Sequence, residues 1–377
     1  MTDTTEYIDV AKHQGEERTL PKLRGLRPVR HRFDRESLHA INAALAAERP
    51  LLIRGEPGTG KSQLARAAAD LLGRGFIWRV VDAQTQVADL FYTFDAIARL
   101  ARSQVAGALE AANKGSIGGL LDERNFVAPG PLWWAFSPVR AEEWHDRYRR
   151  HTGADELPSD SGSDAPPLRA THFARGAVAL IDEIDKADPS VPNGLLEALG
   201  QGTFPVPRGG SVSLDGAESP PLIIITTNEE RELPSAFLRR CLVLHIPVPK
   251  GREDFAKWLM ERGWTHFVRS EEGQRTYEGD VLSEALLRTA ADQVYEDRLA
   301  AEKECLSAPG QAEYLDLLRA LARLRPTNEA RLGLLKELED FALVKHREVY
   351  AAKASARAAK GAKDGGSSGD PGPRRPG

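Results

Sequence analysis

The run Gly55-Glu56-Pro57-Gly58-Thr59-Gly60-Lys61-Ser62-Gln63 carries the plainest chemistry in this 377-residue chain. Glycines at this spacing let successive backbone N–H groups turn inward around phosphate oxygens, and a helix starting behind them adds its partial positive charge. Lys61 then reaches the terminal phosphates of a nucleoside triphosphate, and the Ser62 hydroxyl ligates Mg²⁺. Downstream, Leu180-Ile181-Asp182-Glu183 ends an apolar run in two carboxylates. The aspartate is suited to hold Mg²⁺, and the glutamate, aimed elsewhere, to orient and deprotonate an attacking water. Asn228 closes another apolar run, where an amide can bond both the γ-phosphate and that water. Arg239 and Arg240 end the stretch that begins at Leu233-Pro234. Paired arginines at a helix end often sit in solvent; alternatively one serves as a finger on a neighbouring subunit's nucleotide. Alone, acids at a strand end or an Asn in a turn say little. Behind a complete phosphate loop, they read as a site that activates water.

These residues need strands to deliver them. Leu51 to Ile53 reads as the strand before the loop, and the Ala- and Leu-rich run after Lys61 as a helix. Phe76–Ala83, Gly176–Asp185, Pro220–Asn228 and Cys241–Val248 read as further strands. Helices expected at Glu36–Glu48 and Asn193–Gly200 alternate with them, which implies a parallel sheet covered on both faces. Ligands bind such sheets beyond the carboxyl ends of the strands. A helix is expected over Asp89–Leu109, a loop over Asn113–Gly119, a β-hairpin over Thr203–Leu214 and a short helix over Leu233–Arg240. Trp133 and Trp134, inside Phe126–Phe136, read as packing under a loop, with base stacking or a partner surface as the alternative. From Arg252 the pattern is helical, over 255–263, Ser283–Leu299, Tyr314–Leu324 and Glu329–Tyr350.

The domain plan is therefore a polar arm over 1–30, broken by Pro21 and Pro28, and an α/β core over 31–250. A flexible insertion lies at about 140–175, its Ser, Pro, Gly and Asp concentrated over 152–170. A helical domain spans 251–350, and 351–377 is a mildly basic tail with almost nothing to bury. The hydrophobic fraction of 41% suffices for a sizeable core, and the net charge of −4 argues against a nucleic-acid partner. Two distant cysteines, Cys241 and Cys305, suit a reducing compartment and argue against a disulfide scaffold or structural zinc. The polar N-terminus has no signal core and no window is long enough to span a membrane, so a cytoplasmic protein is expected.

Taken in order, GEPGTGKS, LIDEID, TTN and LPSAFLRR resemble an AAA+ ATPase, and within that superfamily the MoxR-like group. GPLWWAF lies where MoxR-like proteins carry a GPL segment, and DKADPSVPNGLLEAL is similar to their helix after the acidic strand. The resemblance implies a P-loop NTPase core with a small all-helical lid domain, and ATP and Mg²⁺ as ligands. It assigns Lys61 and Ser62 to Walker A, Asp182 and Glu183 to Walker B, and Asn228 to sensor 1. Arg239 or Arg240 becomes the trans-acting finger, and Arg331 the sensor 2 residue with Arg325 as competitor. It implies a homo-oligomeric ring, usually a hexamer, that remodels a partner protein, often one with a von Willebrand factor A domain. A nucleotide-gated assembly switch in a conflict or anti-phage system is the alternative, with a DNA-handling motor and a small-molecule kinase behind it. The long spacing between the two acidic and glycine-rich motifs departs from the family pattern.

Overall fold

In the computed structural model, which describes residues 7–23, 26–111, 119–152, 168–214, 219–267 and 282–338, the apolar runs become one parallel sheet. The chain enters through α1 (Val10–His13), β1 (Glu17–Leu20), β2 (Val29–Arg32) and α2 (Arg35–Ala47). It continues as β3 (Leu51–Arg54), α3 (Lys61–Leu72), β4 (Gly75–Val80), α4 (Val87–Phe91), β5 (Tyr92–Phe94) and α5 (Ala96–Ala111). Next come β6 (Val127–Pro129), α6 (Pro131–Phe136), α7 (Pro138–Thr152), β7 (Ala177–Asp182) and α8 (Ser190–Gln201). The hairpin of β8 (Thr203–Val206) and β9 (Gly210–Ser213) precedes β10 (Leu222–Thr227), α9 (Ser235–Leu238) and β11 (Leu242–His245). Helices α10 (Arg252–His266), α11 (Glu284–Lys303), α12 (Gln311–Leu324) and α13 (Asn328–Leu338) follow. The described residues divide into two units, one running to Pro247 and one from Val248, with Pro57–Thr59 counted with the second.

The sheet order is β11-β3-β10-β7-β4, every pair parallel. Period-2 alternation assigns its side chains to two faces. Leu51, Ile53, Val178, Leu180, Leu222 and Ile224 pack with Leu38 and Leu64 on one face. Leu52, Ala179, Ile181, Ile223 and Ile225 pack with Trp133, Trp134 and Leu195 on the other. This is an α/β core, a five-stranded parallel sheet covered on both faces with a glycine-rich loop after β3, followed by an all-helical unit. The helical unit has its own core, built on Phe255, Leu259, Leu287, Val294, Tyr314 and Leu318. There the Tyr314 hydroxyl donates to Leu287 O at 3.1 Å, and burial raises its pKa. Among the described residues no helix is long and apolar enough to cross a membrane.

Three regions differ from the sequence reading. The described part of the 1–30 arm is packed structure: β1 pairs antiparallel with β2, and Ile8, Leu20 and Phe33 are buried in the core. Arg66 of α3 donates to the carbonyls of Leu20, Pro21 and Arg27, clamping the segment. Pro21 and Pro28 fall outside the two strands, and these short edge strands carry mostly polar residues, so the apolar signal is faint. The helix expected over Asp89–Leu109 is broken by β5, whose Tyr-Thr-Phe pairs antiparallel with β6. The first part of the expected insertion is α7, which buries Ala141 and Trp144; residues 153–167 lie outside the described residues. So do residues 113–118 of the expected loop, the end of the last expected helix and the tail.

Gly75 opens β4 where a Cβ would lie 2.3 Å from Phe173 Cδ1 and 2.6 Å from His172 O. Gly75→Ala is therefore expected to lower unfolding free energy by about 1–3 kcal/mol, as overpacking does, read as a lower denaturant midpoint at unchanged slope.

Candidate nucleotide site

The carboxyl ends of β3, β7 and β10 lie side by side, and each ends in residues that can do chemistry. β3 feeds the glycine-rich loop, in which Gly58 and Gly60 sit at φ +77° and +92°, conformations that L side chains resist. Gly60 is also the N-cap of α3, with no capping side chain to block the approach of an anion. Lys61, the first residue of α3, is 6% exposed and its Nζ donates to Gly55 O at 2.8 Å and Glu56 O at 2.7 Å. Burial lowers its pKa, against the pull of Asp182, Asp185, Glu183 and Glu229. The side-chain amide of Gln63 is turned away to Arg30 O of the N-terminal hairpin, at 2.6 Å. Its part in the phosphate loop is therefore backbone only.

Ser62 Oγ donates to Asp182 Oδ1 at 2.8 Å, and the Thr226 hydroxyl donates to the same oxygen. A hydroxyl and a carboxylate held together are hard oxygen donors of the kind Mg²⁺ takes, and the donor set contains no softer group. Thr226 Oγ1 also accepts from Glu183 N at 3.0 Å, fixing the start of the turn after β7. At φ +60° Glu183 turns left-handed between Asp182 and a 3₁₀ turn over Ile184–Lys186, so adjacent carboxylates meet different partners. Glu183 Oε1 accepts from Asn228 Nδ2 at 3.3 Å, and Oε2 pairs with Lys186 Nζ at 2.8 Å. That pairing raises the Lys186 pKa. The structure thus brings Lys61, Ser62, Asp182, Glu183 and Asn228 into one cluster.

Arg239 and Arg240 stand apart from this cluster at the end of α9, both exposed and without a side-chain partner among the described residues. Arg331 is 3% exposed on α13, and its guanidinium donates to Arg325 O at 2.9 Å and Ala322 O at 3.3 Å. Those partners belong to the helical unit itself. Sequence reasoning missed Thr226, Asp185 and Lys186 as members of the cluster. The sequence offers only a partial signal for Thr226, a hydroxyl in an otherwise aliphatic run that would need a partner if buried; the structure buries it at 0% exposure.

The Lys61 shift has a measurable consequence. Its folded pKa lies below the unfolded value of 10.5, so between the two the unfolded chain holds more protons and stability rises with pH. Below the folded pKa this contribution is flat. The stability of the wild type relative to Lys61→Met is therefore expected to increase as pH climbs toward 10.5, measured by urea unfolding of both proteins at stepped alkaline pH.

Residues 50–132 match the family model described as the AAA domain of the dynein-related subfamily. No curated protein sequence matches the chain. Among solved structures, a candidate ATPase from Cytophaga hutchinsonii is similar at 16% identity, covering 86% of each chain with a TM-score of 0.33. The Thermotoga maritima RuvB Holliday junction branch migration motor is similar at 12% identity and a TM-score of 0.39, covering 83% of this chain and 70% of that one.

Proposed function

We propose that this protein is a MoxR-like AAA+ ATPase that hydrolyses ATP at the subunit interfaces of a ring and uses the cycle to remodel a partner protein. The observation that carries the reading is the Glu183–Asn228 contact at 3.3 Å next to the Ser62–Asp182 contact at 2.8 Å. It sets a candidate base and its positioning amide beside a candidate metal site, which is the set of groups water attack on a terminal phosphate needs. Lys61 and the loop amides bind and orient the triphosphate, Glu183 takes the proton of the attacking water, and Asn228 holds the Glu183 carboxylate. Mg²⁺ held by Ser62 and Asp182 would offset the charge of the phosphates. Arg239, with Arg240 as competitor, is the trans-acting finger; their exposure and lack of partners support this assignment. Arg331 as sensor 2, the hexamer and a von Willebrand factor A domain partner are the remaining parts of the proposal.

Phosphate release measured beside particle mass, with and without ATP, tests it. ATP-dependent growth to a defined oligomer with steady turnover supports the ring, and Arg239→Ala should then lose turnover at intact nucleotide affinity. A wild type that binds nucleotide as a monomer and does not hydrolyse it overturns the motor. The pairing of both Glu183 oxygens in this structure gives the nucleotide-gated switch its footing. On that reading a slowly hydrolysed ATP analogue supports partner activity as well as ATP does.

A further inference from the structure

Asp185 takes no part in the proposed chemistry, yet it is 2% exposed at the edge of the site. Its Oδ2 accepts from two main-chain amides of the turn after β10, Asn228 N at 3.2 Å and Glu230 N at 3.0 Å. Between them Glu229 sits at φ +62°, a left-handed conformation that is uncommon for a residue with a side chain. Alternate amides converging on one anionic oxygen around a left-handed residue form a concave anion nest. Here the anion is the chain's own carboxylate, delivered from 43 residues upstream. Two further contacts hold the same residue: Glu229 N donates to Thr227 Oγ1 at 3.0 Å, and Glu229 Oε1 pairs with Arg54 Nη2 at 2.5 Å. A strained residue persists where its surroundings over-determine it, and strain of this kind collects at functional sites.

What the nest fixes is the direction of Asn228. The Asn228 amide reaches Glu183 Oε1 at 3.3 Å, a long contact that a small turn of the main chain would open. The 3₁₀ turn over Ile184–Lys186 carries Asp185 two residues after the candidate base, so one short segment bears both Glu183 and the carboxylate that holds the Asn228 turn. We infer that Asp185 is a positioning residue: its carboxylate, seated in the 228–230 nest, sets the register between Asn228 and Glu183. This rests on the hydrolytic reading of Glu183 and Asn228. The role is mechanical, through two hydrogen bonds, since Asp185 Oδ1 has no partner among the described residues.

The test uses full-length wild type, Asp185→Ala, Asp185→Asn, Asn228→Ala and the Asp185→Ala/Asn228→Ala double variant. Nucleotide Kd, steady-state kcat and KM for ATP, and amide exchange of residues 228–230 are measured on each. Asp185→Ala is expected to lose about 10- to 100-fold in kcat, the scale of a displaced catalytic contact, with KM and Kd little changed. The double variant should lose no more than the worse single variant, because the two residues act as a unit. Asp185→Asn keeps a carbonyl oxygen for both amides and should recover most of the lost kcat. Exchange at Asn228 and Glu230 should accelerate in Asp185→Ala and stay near wild type in Asp185→Asn. Additive losses, unchanged exchange in Asp185→Ala, or an Asp185→Asn as inactive as the alanine variant would overturn the inference. If Asp185→Ala does not fold, the Asp185→Asn comparison decides alone. A wild type without turnover defeats the ATPase reading instead, and leaves exchange to report on the nest.

Discussion

Glu183→Gln is expected to cut ATP turnover by about 10²- to 10⁴-fold while leaving nucleotide affinity near wild type, which is the range a positioned general base contributes. The two side chains have the same shape, and the glutamine carbonyl can still accept from Asn228, whose amide lies 3.3 Å from Oε1. What disappears is the capacity to take a proton. The pairing with Lys186 Nζ at 2.8 Å weakens too, but this is a partly exposed pair, with side chains 31% and 40% exposed. Such pairs contribute about 0–1 kcal/mol, too little to account for a loss of several orders of magnitude. Nucleotide binding should survive because Lys61, Ser62 and Asp182 keep their own contacts, none of which runs through Glu183. Single-turnover phosphate release beside equilibrium binding of a fluorescent ATP analogue separates the two quantities. Turnover within threefold of wild type would place water activation on another residue. The same variant, if it binds ATP without turning it over, becomes a trap with which to test for the partner protein proposed above.

The parts of this site that sequence alone makes legible are those where chemistry fixes residue type at fixed spacing. Glycines at positive φ, a lysine opening a helix and acids ending an apolar strand each have a local cause, and Gly58, Gly60, Lys61 and Asp182 sit where that logic puts them. The sheet is legible for the same reason, since continuous apolar runs have no other place to go. Thr226 and Asp185 were harder because their roles exist only across the sheet. Thr226 serves Asp182 from 44 residues away, and Asp185 serves the turn at 228–230, whose left-handed Glu229 no propensity predicts. The N-terminal hairpin failed differently. Its strands ERTL and VRHR bury few side chains, and its attachment comes from Arg66 and Gln63 reaching main-chain carbonyls. Hydrogen bonds to carbonyls leave no trace in hydropathy.

Trp133→Ala is expected to be the most destabilising change outside the sheet, at about 3–5 kcal/mol, the range for truncating a fully buried large aromatic. Trp133 is 0% exposed, which decides between the two readings of the Trp133–Trp134 pair in favour of packing. Its ring lies 5.1 Å from Trp144 of α7 and 6.0 Å edge-on from Phe204 of β8. It therefore joins α6 to a helix and to the β8–β9 hairpin, three elements that lack sheet pairing with the central strands. The hairpin is also held by Phe204 against Phe91 at 4.6 Å and Phe136 at 5.7 Å, and by polar ties from Arg140 to Gly209 O and Ser211 O and from Arg208 to Glu123 at 2.8 Å. Removing the indole empties the space between these elements, and a loss of this size is comparable to much of the net stability of a domain. Phenylalanine at the same position should cost distinctly less. It keeps most of the ring, and it removes an indole N–H that is buried without a partner among the described residues. An unsatisfied buried donor costs about 1–3 kcal/mol, so its removal offsets part of the lost volume. Urea unfolding followed by circular dichroism should rank the midpoints wild type, Trp133→Phe, Trp133→Ala. A loss below 1 kcal/mol in the alanine variant would mean that these elements are held by their polar ties, with the aromatic cluster as filling between them.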